Sequence, residues 1–432
     1  MQQTGRDQDE AGHKTAQDMR GHHAVEVKAE EAPTHEPQAP EPRTRDGVRQ
    51  AATIAGALGV LVCLVAFRWS LMSYTSYDAR HFVIGWYNEF ERRGWPGLGV
   101  RFADYNVPYL YLLYLSTLVF ENGLVAIKVI SNLADLVLAW GVVRVLWPLR
   151  GRNIALGAGV IVLLLPGVWL NSATWGQTDQ IYTALLVHAL ADLMRGRQNR
   201  AWFVFGLAFA FKLQAVFLLP FLLVVWLRDR GRSWTAPPLA VIAWLVAAAP
   251  ALLIGLPWRA LLLTYSEQTS GGRNATVAPN LWQLFTPNDP DFIAAFTPLA
   301  AALTGALMVW ALVRDGWFRD RGRWLVLASC FALLLPYTLP GMRNRYFFLA
   351  EILVLIVAFV RPHLWWLALM TSTMSALSYS VSLFGREFPL GNVASGIPFG
   401  IVLVVLVRDA LHIGRHAPAD QDESLPRTSA AT

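Results

Sequence analysis

The sequence predicts an all-α fold, a polytopic transmembrane helix bundle of about 12 crossings with a large helical first outer loop. Three observations carry that expectation. Hydrophobic residues make up 55% of the 432-residue chain and charged residues 15%, against roughly 25% charged in a soluble domain. The apolar residues fall in long runs without charge. Between the runs, arginines gather in short clusters that recur after every second one, as the cytoplasmic loops of a multi-pass protein do. A soluble globule, a disordered chain and a disulfide scaffold are excluded. Polar surface would be too scarce to cover this apolar mass in water, and both of the chain's 2 cysteines, Cys63 and Cys330, lie inside apolar runs.

A membrane helix needs roughly 17–25 mostly apolar residues. Charge-free runs of that order occupy Ala51–Phe67, Asn153–Thr178, Ser233–Trp258, Phe292–Val313, Trp324–Met342, Leu364–Gly385 and Phe388–Val407. Val125–Val143 and Tyr346–Val360 read as spans although they carry Asp135 and Glu351, and Gln180–Ala191 continues a span past Asp179. Ala201–Phe211 and Leu213–Leu227 are a short pair meeting at Lys212. Residues 1–47 are rich in acids and poor in aromatics, the composition of a disordered tail. No signal-peptide layout is expected there, since the first apolar run starts too late. Residues 409–432 form a second polar tail.

The arginine clusters at Arg49, Arg144, Arg195–Arg200, Arg228–Arg232, Arg314–Arg323, Arg361 and Arg408 place both tails in the cytoplasm. Arg49 and Arg144 must then share a side, yet three apolar stretches separate them. The weakest is Val107–Phe120, short and with Pro108 in its first turn. It reads as a helix lying at the outer surface, which makes residues 74–123 one large outer loop. A second outer loop covers 256–296, and the membrane domain as a whole covers 48–408.

With that topology one leaflet collects the polar motifs. They are Asp78 after the first span, Asp104-Tyr105-Asn106, Trp175-Gly176-Gln177-Thr178-Asp179, Lys212-Leu213-Gln214, Asn280-Leu281-Trp282 and Arg343-Asn344-Arg345-Tyr346. Each has a plain explanation as well. Asp179 begins a helix and would cap it, Lys212 can snorkel, the arginines can anchor headgroups, and most of the 18 tryptophans suit an interfacial belt. Taken together they point to a site, because ionisable groups at membrane depth are costly and usually functional. The break at Lys212 is the kind of helix interruption that forms binding sites. Carboxylates, cations and amides on one leaflet suit a charged lipid headgroup and a polar substrate.

These motifs resemble those of polytopic GT-C-type glycosyltransferases, in particular the group similar to the GPI-anchor second mannosyltransferase, with more distant kinship to dolichyl-phosphate-glucose glucosyltransferases. The resemblance covers about residues 51–408. It rests on Asp78, the Tyr-Asn-x-Pro-Tyr stretch at 105–109, Trp175-Gly176-Gln177-x-Asp179, Lys212-x-Gln214, Asn280-Leu281-Trp282 and Arg345-Tyr346. The group's usual Met-His-Glu-Arg-Tyr segment has Arg343 and Asn344 here in place of His and Glu. The resemblance implies an inverting transfer of a hexose, mannose-like, from a polyprenyl phosphate to a hydroxyl on a lipid or glycan acceptor outside the cytoplasm. It gives Asp78 the part of catalytic base, since a sugar hydroxyl is a poor nucleophile at neutral pH. Lys212, Arg343, Arg345 and Tyr346 are the candidates for the donor phosphate, where preorganised cations meet the charge that builds on the leaving group. Asp104, Tyr105, Asn106, Trp175, Gln177, Asp179, Gln214, Asn280 and Trp282 are the candidates for the sugar and acceptor.

No cofactor is expected, and no nucleic-acid partner. A divalent metal shared by Asp78, Asp104 and Asp179 is the minor alternative. The rival functions are a transporter or flippase of lipid-linked sugars and a non-catalytic envelope-assembly protein. A transporter should show internal repeats, and none is clear in the sequence.

Overall fold

The computed structural model describes residues 43–270, 278–284, 297–385 and 391–411. Most of both expected tails lies outside the described residues, as does much of the second outer loop with Asn274-Ala275-Thr276, a triplet that matches an N-glycosylation acceptor. The chain divides into two compact units, Met1–Gly59 and Val60–Thr432. Of the first, the described part is the beginning of helix α1 (Arg43–Ser70). The other described elements belong to the second, in which the described residues are helices, turns and loops without a strand.

Helices α2 (Ile84–Arg93) and α3 (Val107–Thr117) build the first loop region. Pro108 sits where a missing N–H costs nothing, in the first turn of α3. At 11 residues α3 is about 16 Å long, too short to cross roughly 30 Å of hydrocarbon. Asn122 then starts α4 (Gly123–Arg150), its Oδ1 accepting from the N–H groups of Leu124 and Val125 at 2.9 and 3.2 Å. Helix α5 (Arg152–Leu164) stops before Pro166, and α6 (Pro166–Trp169) leaves at a bend of 50°, because proline cannot supply the N–H that would continue the helix. Along the rest of the chain come α7 (Asp179–Met194), α8 (Gln198–Phe211), α9 (Leu219–Arg228), α10 (Ala236–Ile254), α11 (Trp258–Ser270), α12 (Thr297–Val313), α13 (Arg321–Thr338), α14 (Phe348–Val360), α15 (Trp365–Phe384) and α16 (Gly391–Leu411).

The main core joins α4, α5, α7, α9, α13 and α14 through residues such as Leu138, Val142, Ala158, Leu186, Phe221, Phe331 and Ile352. A smaller core of aromatics, including Tyr87, Phe90 and Tyr109, packs α2 and α3 onto Ile127 of α4. This second core gives the loop before α3 a rigid seat, and that loop carries part of the site.

Among the described residues three helices are long and apolar enough to cross a membrane: Gly123–Arg150, Ala236–Ile254 and Pro362–Phe384. The bent pair Arg152–Leu164 and Pro166–Trp175 makes a fourth if it counts as one span. That number counts single long apolar helices, and several apolar runs that look continuous in sequence are cut into shorter helices. Pro166 cuts one, and Lys212 separates α8 from the 3₁₀ turn that leads into α9. Helices α13 and α14 are enclosed by other helices along nearly their whole length.

Two buried charges tie the start of this unit together. The guanidinium of Arg68 donates to Asp135 (2.5 Å), Asn132 (2.8 Å) and the carbonyl of Leu163 (2.7 Å). Lys128 donates to the carbonyls of Leu71 (3.0 Å) and Tyr74 (2.5 Å). The chain leaving α1 is thereby pinned to α4 just before Asp78.

Candidate functional site

Two π-helical turns frame the site, Ala79–Val83 directly after Asp78 and Leu170–Trp175 after the break at Pro166. Such turns widen a helix by one residue and re-aim the side chains beside them. Ser76 joins the two segments: its hydroxyl donates to the carbonyl of Trp175 (2.8 Å) and accepts from the N–H of Ala79 (3.2 Å). Asp78 is thus delivered to the end of the second turn.

There, three donors meet one carboxylate oxygen. Asp78 Oδ2 accepts from Gln177 Nε2 (2.8 Å), Arg345 (2.9 Å) and Trp175 Nε1 (3.1 Å). Trp175 and Gln177 can both face Asp78 because Gly176 between them adopts φ +76°, a left-handed conformation that glycine takes without steric cost. Gln177 is fixed in turn by Tyr105, whose hydroxyl donates to Oε1 at 2.9 Å, while Ser131 donates to its carbonyl at 2.5 Å. Burial pushes the Tyr105 phenol up to about 12, so it remains a donor at neutral pH.

A second ion pair stands beside the first. Lys212 lies in extended backbone between α8 and a 3₁₀ turn, Leu213–Leu218. Its Nζ donates to Asp179 Oδ1 at 2.5 Å and lies 5.7 Å from the centre of the Tyr182 ring. The other oxygen of Asp179 accepts from Asn171 at 3.3 Å. Asp179 therefore does not cap α7. Thr178 occupies the cap position, and the Asp179 carboxylate holds Lys212 instead.

Both pairs border a cavity of about 370 Å³, within the usual range for small-molecule sites. Asp78, Lys212, Gln214, Arg343, Arg345 and Tyr346 line it, together with Asp104, Tyr105 and Asn106. The Asp78 carboxylate and the Lys212 ammonium thus share one chamber. The Arg343 side chain is exposed and makes no hydrogen bond or ion pair among the described residues, whereas Arg345 and Lys212 each hold a carboxylate.

Trp175, Gln177, Asp179, Asn280 and Trp282 do not line the cavity. The first three act on its walls through Asp78 and Lys212. The Trp282 indole donates to the carbonyl of Thr338 at 2.9 Å, and Asn280 beside it is buried. Among the described residues no three His, Cys, Asp or Glu side chains gather as a metal-ligand set.

The cavity also has walls that the motifs do not announce. Trp86 meets Tyr105 with ring centres 5.1 Å apart, and it lines the cavity with Phe82, Phe211, Thr178, Thr264 and Glu267. Trp86 carries no mark that ranks it among 18 tryptophans. Glu267, paired with Arg101, reaches the cavity from α11, which has no motif.

No family model matches the chain, and no curated protein matches it. Among solved structures it is similar to the crystal structure of ArnT from Cupriavidus metallidurans in the apo state. The identity is 18%, the match covers 84% of this chain and 77% of that one, and the TM-score is 0.40. A likeness at that level decides neither fold nor activity.

Proposed function

We propose that the chain is a GT-C-type membrane glycosyltransferase that moves a sugar, a mannose-like hexose, from a polyprenyl-phosphate donor to a hydroxyl of a lipid or glycan acceptor. The reaction takes place on the extracytoplasmic side, in a chain of about 12 crossings with both tails cytoplasmic. The observation that carries the reading is one cavity whose wall holds the Asp78 carboxylate together with the three cations Lys212, Arg343 and Arg345.

The chemistry derives from that pairing. The acceptor hydroxyl attacks the anomeric carbon from the face opposite the phosphate, which inverts the configuration. Its proton passes to Asp78, and the carbon–oxygen bond to phosphate breaks with its electron pair going to the leaving oxygen. Asp78 Oδ2 is already held by three donors, so Oδ1 is the oxygen that receives the proton. Once Asp78 is protonated, Arg345 loses its counter-charge at the moment when charge builds on the phosphate. Base and leaving-group cation are thereby coupled through one ion pair. Arg343, exposed at the cavity, binds the phosphate in the ground state, and its planar fork suits two phosphate oxygens. Trp86 and Tyr105 offer flat faces to the sugar.

The test is to incubate purified protein with a panel of polyprenyl-phosphate sugars and measure which one is consumed. Consumption of one of them supports the reading. Consumption of a nucleotide sugar alone would overturn it.

A further inference from the structure

Outside the cavity lies a charge that the proposed reaction does not use. Glu351, in the first turn of α14, is 1% exposed. No lysine or arginine pairs with it there, in contrast to the buried carboxylates Asp135, Asp179 and Asp192. Facing it from α15 are Ser372 and Ser375, one helical turn apart, both buried and both with their hydroxyls within reach of the carboxylate. From the third side comes Gly167 in α6, just after the break at Pro166. The carboxylate rests directly on this residue, so that a methyl group there would overlap both oxygens.

An ionised carboxylate in such surroundings costs far more than its packing returns unless a positive charge joins it. The groups around it are oxygens, and a single carboxylate neutralises one positive charge. A divalent ion usually takes several carboxylates or carbonyls, and a soft metal takes thiolate or imidazole. We propose that Glu351, Ser372 and Ser375 form a binding site for a small monovalent cation, sodium in kind, enclosed between α6, α14 and α15. Two carboxylate oxygens and two hydroxyls supply four ligands, and water completes the shell.

The site is also placed to matter for the cavity. Tyr379, one turn beyond Ser375 on α15, is fully buried. Its ring packs edge-on against Trp175 at 5.6 Å, and the Trp175 indole donates to Asp78. An ion that locks α14 to α15 steadies the wall on which Asp78 is held.

Sodium binding is read without any substrate, so its result is independent of the glycosyl-transfer reading. Purified protein is unfolded by heat in sodium chloride and in choline chloride of equal ionic strength, and binding of radioactive sodium is counted. The expected result is a saturable rise in the unfolding midpoint of about 3 °C in sodium, with one ion bound per chain. Glu351→Gln should abolish both. Ser375→Ala should raise the half-saturating sodium concentration by about tenfold, as loss of roughly 1.4 kcal/mol of binding does. If Glu351→Gln does not fold, the sodium titration of the unmodified chain and of Ser375→Ala still decides the matter. An unmodified chain that responds equally to sodium and choline would overturn the proposal, leaving a proton as the counter-charge. So would a Glu351→Gln variant that keeps the full sodium response.

Discussion

Asp78 accepts three hydrogen bonds on one oxygen, and this arrangement sets what each nearby substitution should do. Asp78→Asn keeps the shape but removes the proton acceptor, so turnover should fall by about 10²–10⁴-fold while donor binding persists; a variant with full activity would end the base assignment. Gly176→Ala forces a side chain into φ +76° and brings its methyl to 3.1 Å from Ile127. The strain is about 1–2 kcal/mol, and it turns Trp175 and Gln177 away from Asp78 together. A loss in kcat with little change in fold, read by circular dichroism beside the assay, is the expected signature. Tyr105 adds a pH statement. Its phenol, raised by burial from 10.0 to about 12, favours the folded state wherever it stays protonated. That contribution is complete below about pH 10 and is lost as pH rises through about 12. Tyr105→Phe should lack this alkaline loss in a pH series of unfolding midpoints. At this scale the sequence was most informative where polar residues interrupt apolar runs, as at Asp78, Gln177, Lys212 and Arg345. It set Trp86 among the tryptophans of an interfacial belt and left Glu267 unmarked, because their place at the cavity comes only from where distant segments meet. It listed Asp179 among the substrate candidates without pairing it to Lys212, since a motif names a residue without naming its partner.

The elements show the same division. The pair of short helices meeting at Lys212 was legible, because a lysine inside an apolar run cannot lie comfortably in a helix facing lipid. The break after Leu164 is the consequence of Pro166. The two π turns had no sequence mark, since one extra residue in a helical turn leaves composition and periodicity almost unchanged. The enclosure of α13 and α14 was equally hidden, because hydropathy cannot tell a helix wrapped in lipid from one wrapped in other helices. The Arg68–Asp135 pair joins α1 to α4 with both charges buried. Asp135→Ala strands the Arg68 guanidinium and should destabilise the protein by about 3–5 kcal/mol. The double variant Arg68→Leu with Asp135→Leu should recover most of that loss, since exchanging a buried pair for apolar side chains is often neutral. Unfolding midpoints of the single and double variants measure the difference, and a double variant no better than the single would show that the pair positions α1 by geometry alone.

The whole molecule sorts its charges into two sets. One surrounds the cavity, where Asp78, Lys212 and the Arg343–Arg345 stretch come from three separate segments of the chain. The other lies toward the opposite ends of the helices that those segments border. There Arg144 and Arg200 converge on Asp192, Arg228 pairs with Asp315, and Arg361 reaches Asp320. Arginines outnumber these carboxylates, and an excess of that kind belongs on the cytoplasmic side. Position 230 comes two residues after Arg228 at the end of α9, while position 121 precedes α4 in the loop region that carries Asp78; both are accessible at the ends of their elements. The two natural cysteines, Cys63 and Cys330, are first replaced by alanine. A single cysteine at Arg230 should then react with a membrane-impermeant maleimide only in inside-out vesicles, and one at Glu121 only in right-side-out vesicles. Reaction of both from the same side would place the cavity and the arginine set on one leaflet. That outcome would remove the extracytoplasmic site, because a donor presented outside the cell could not reach a cavity facing the cytoplasm.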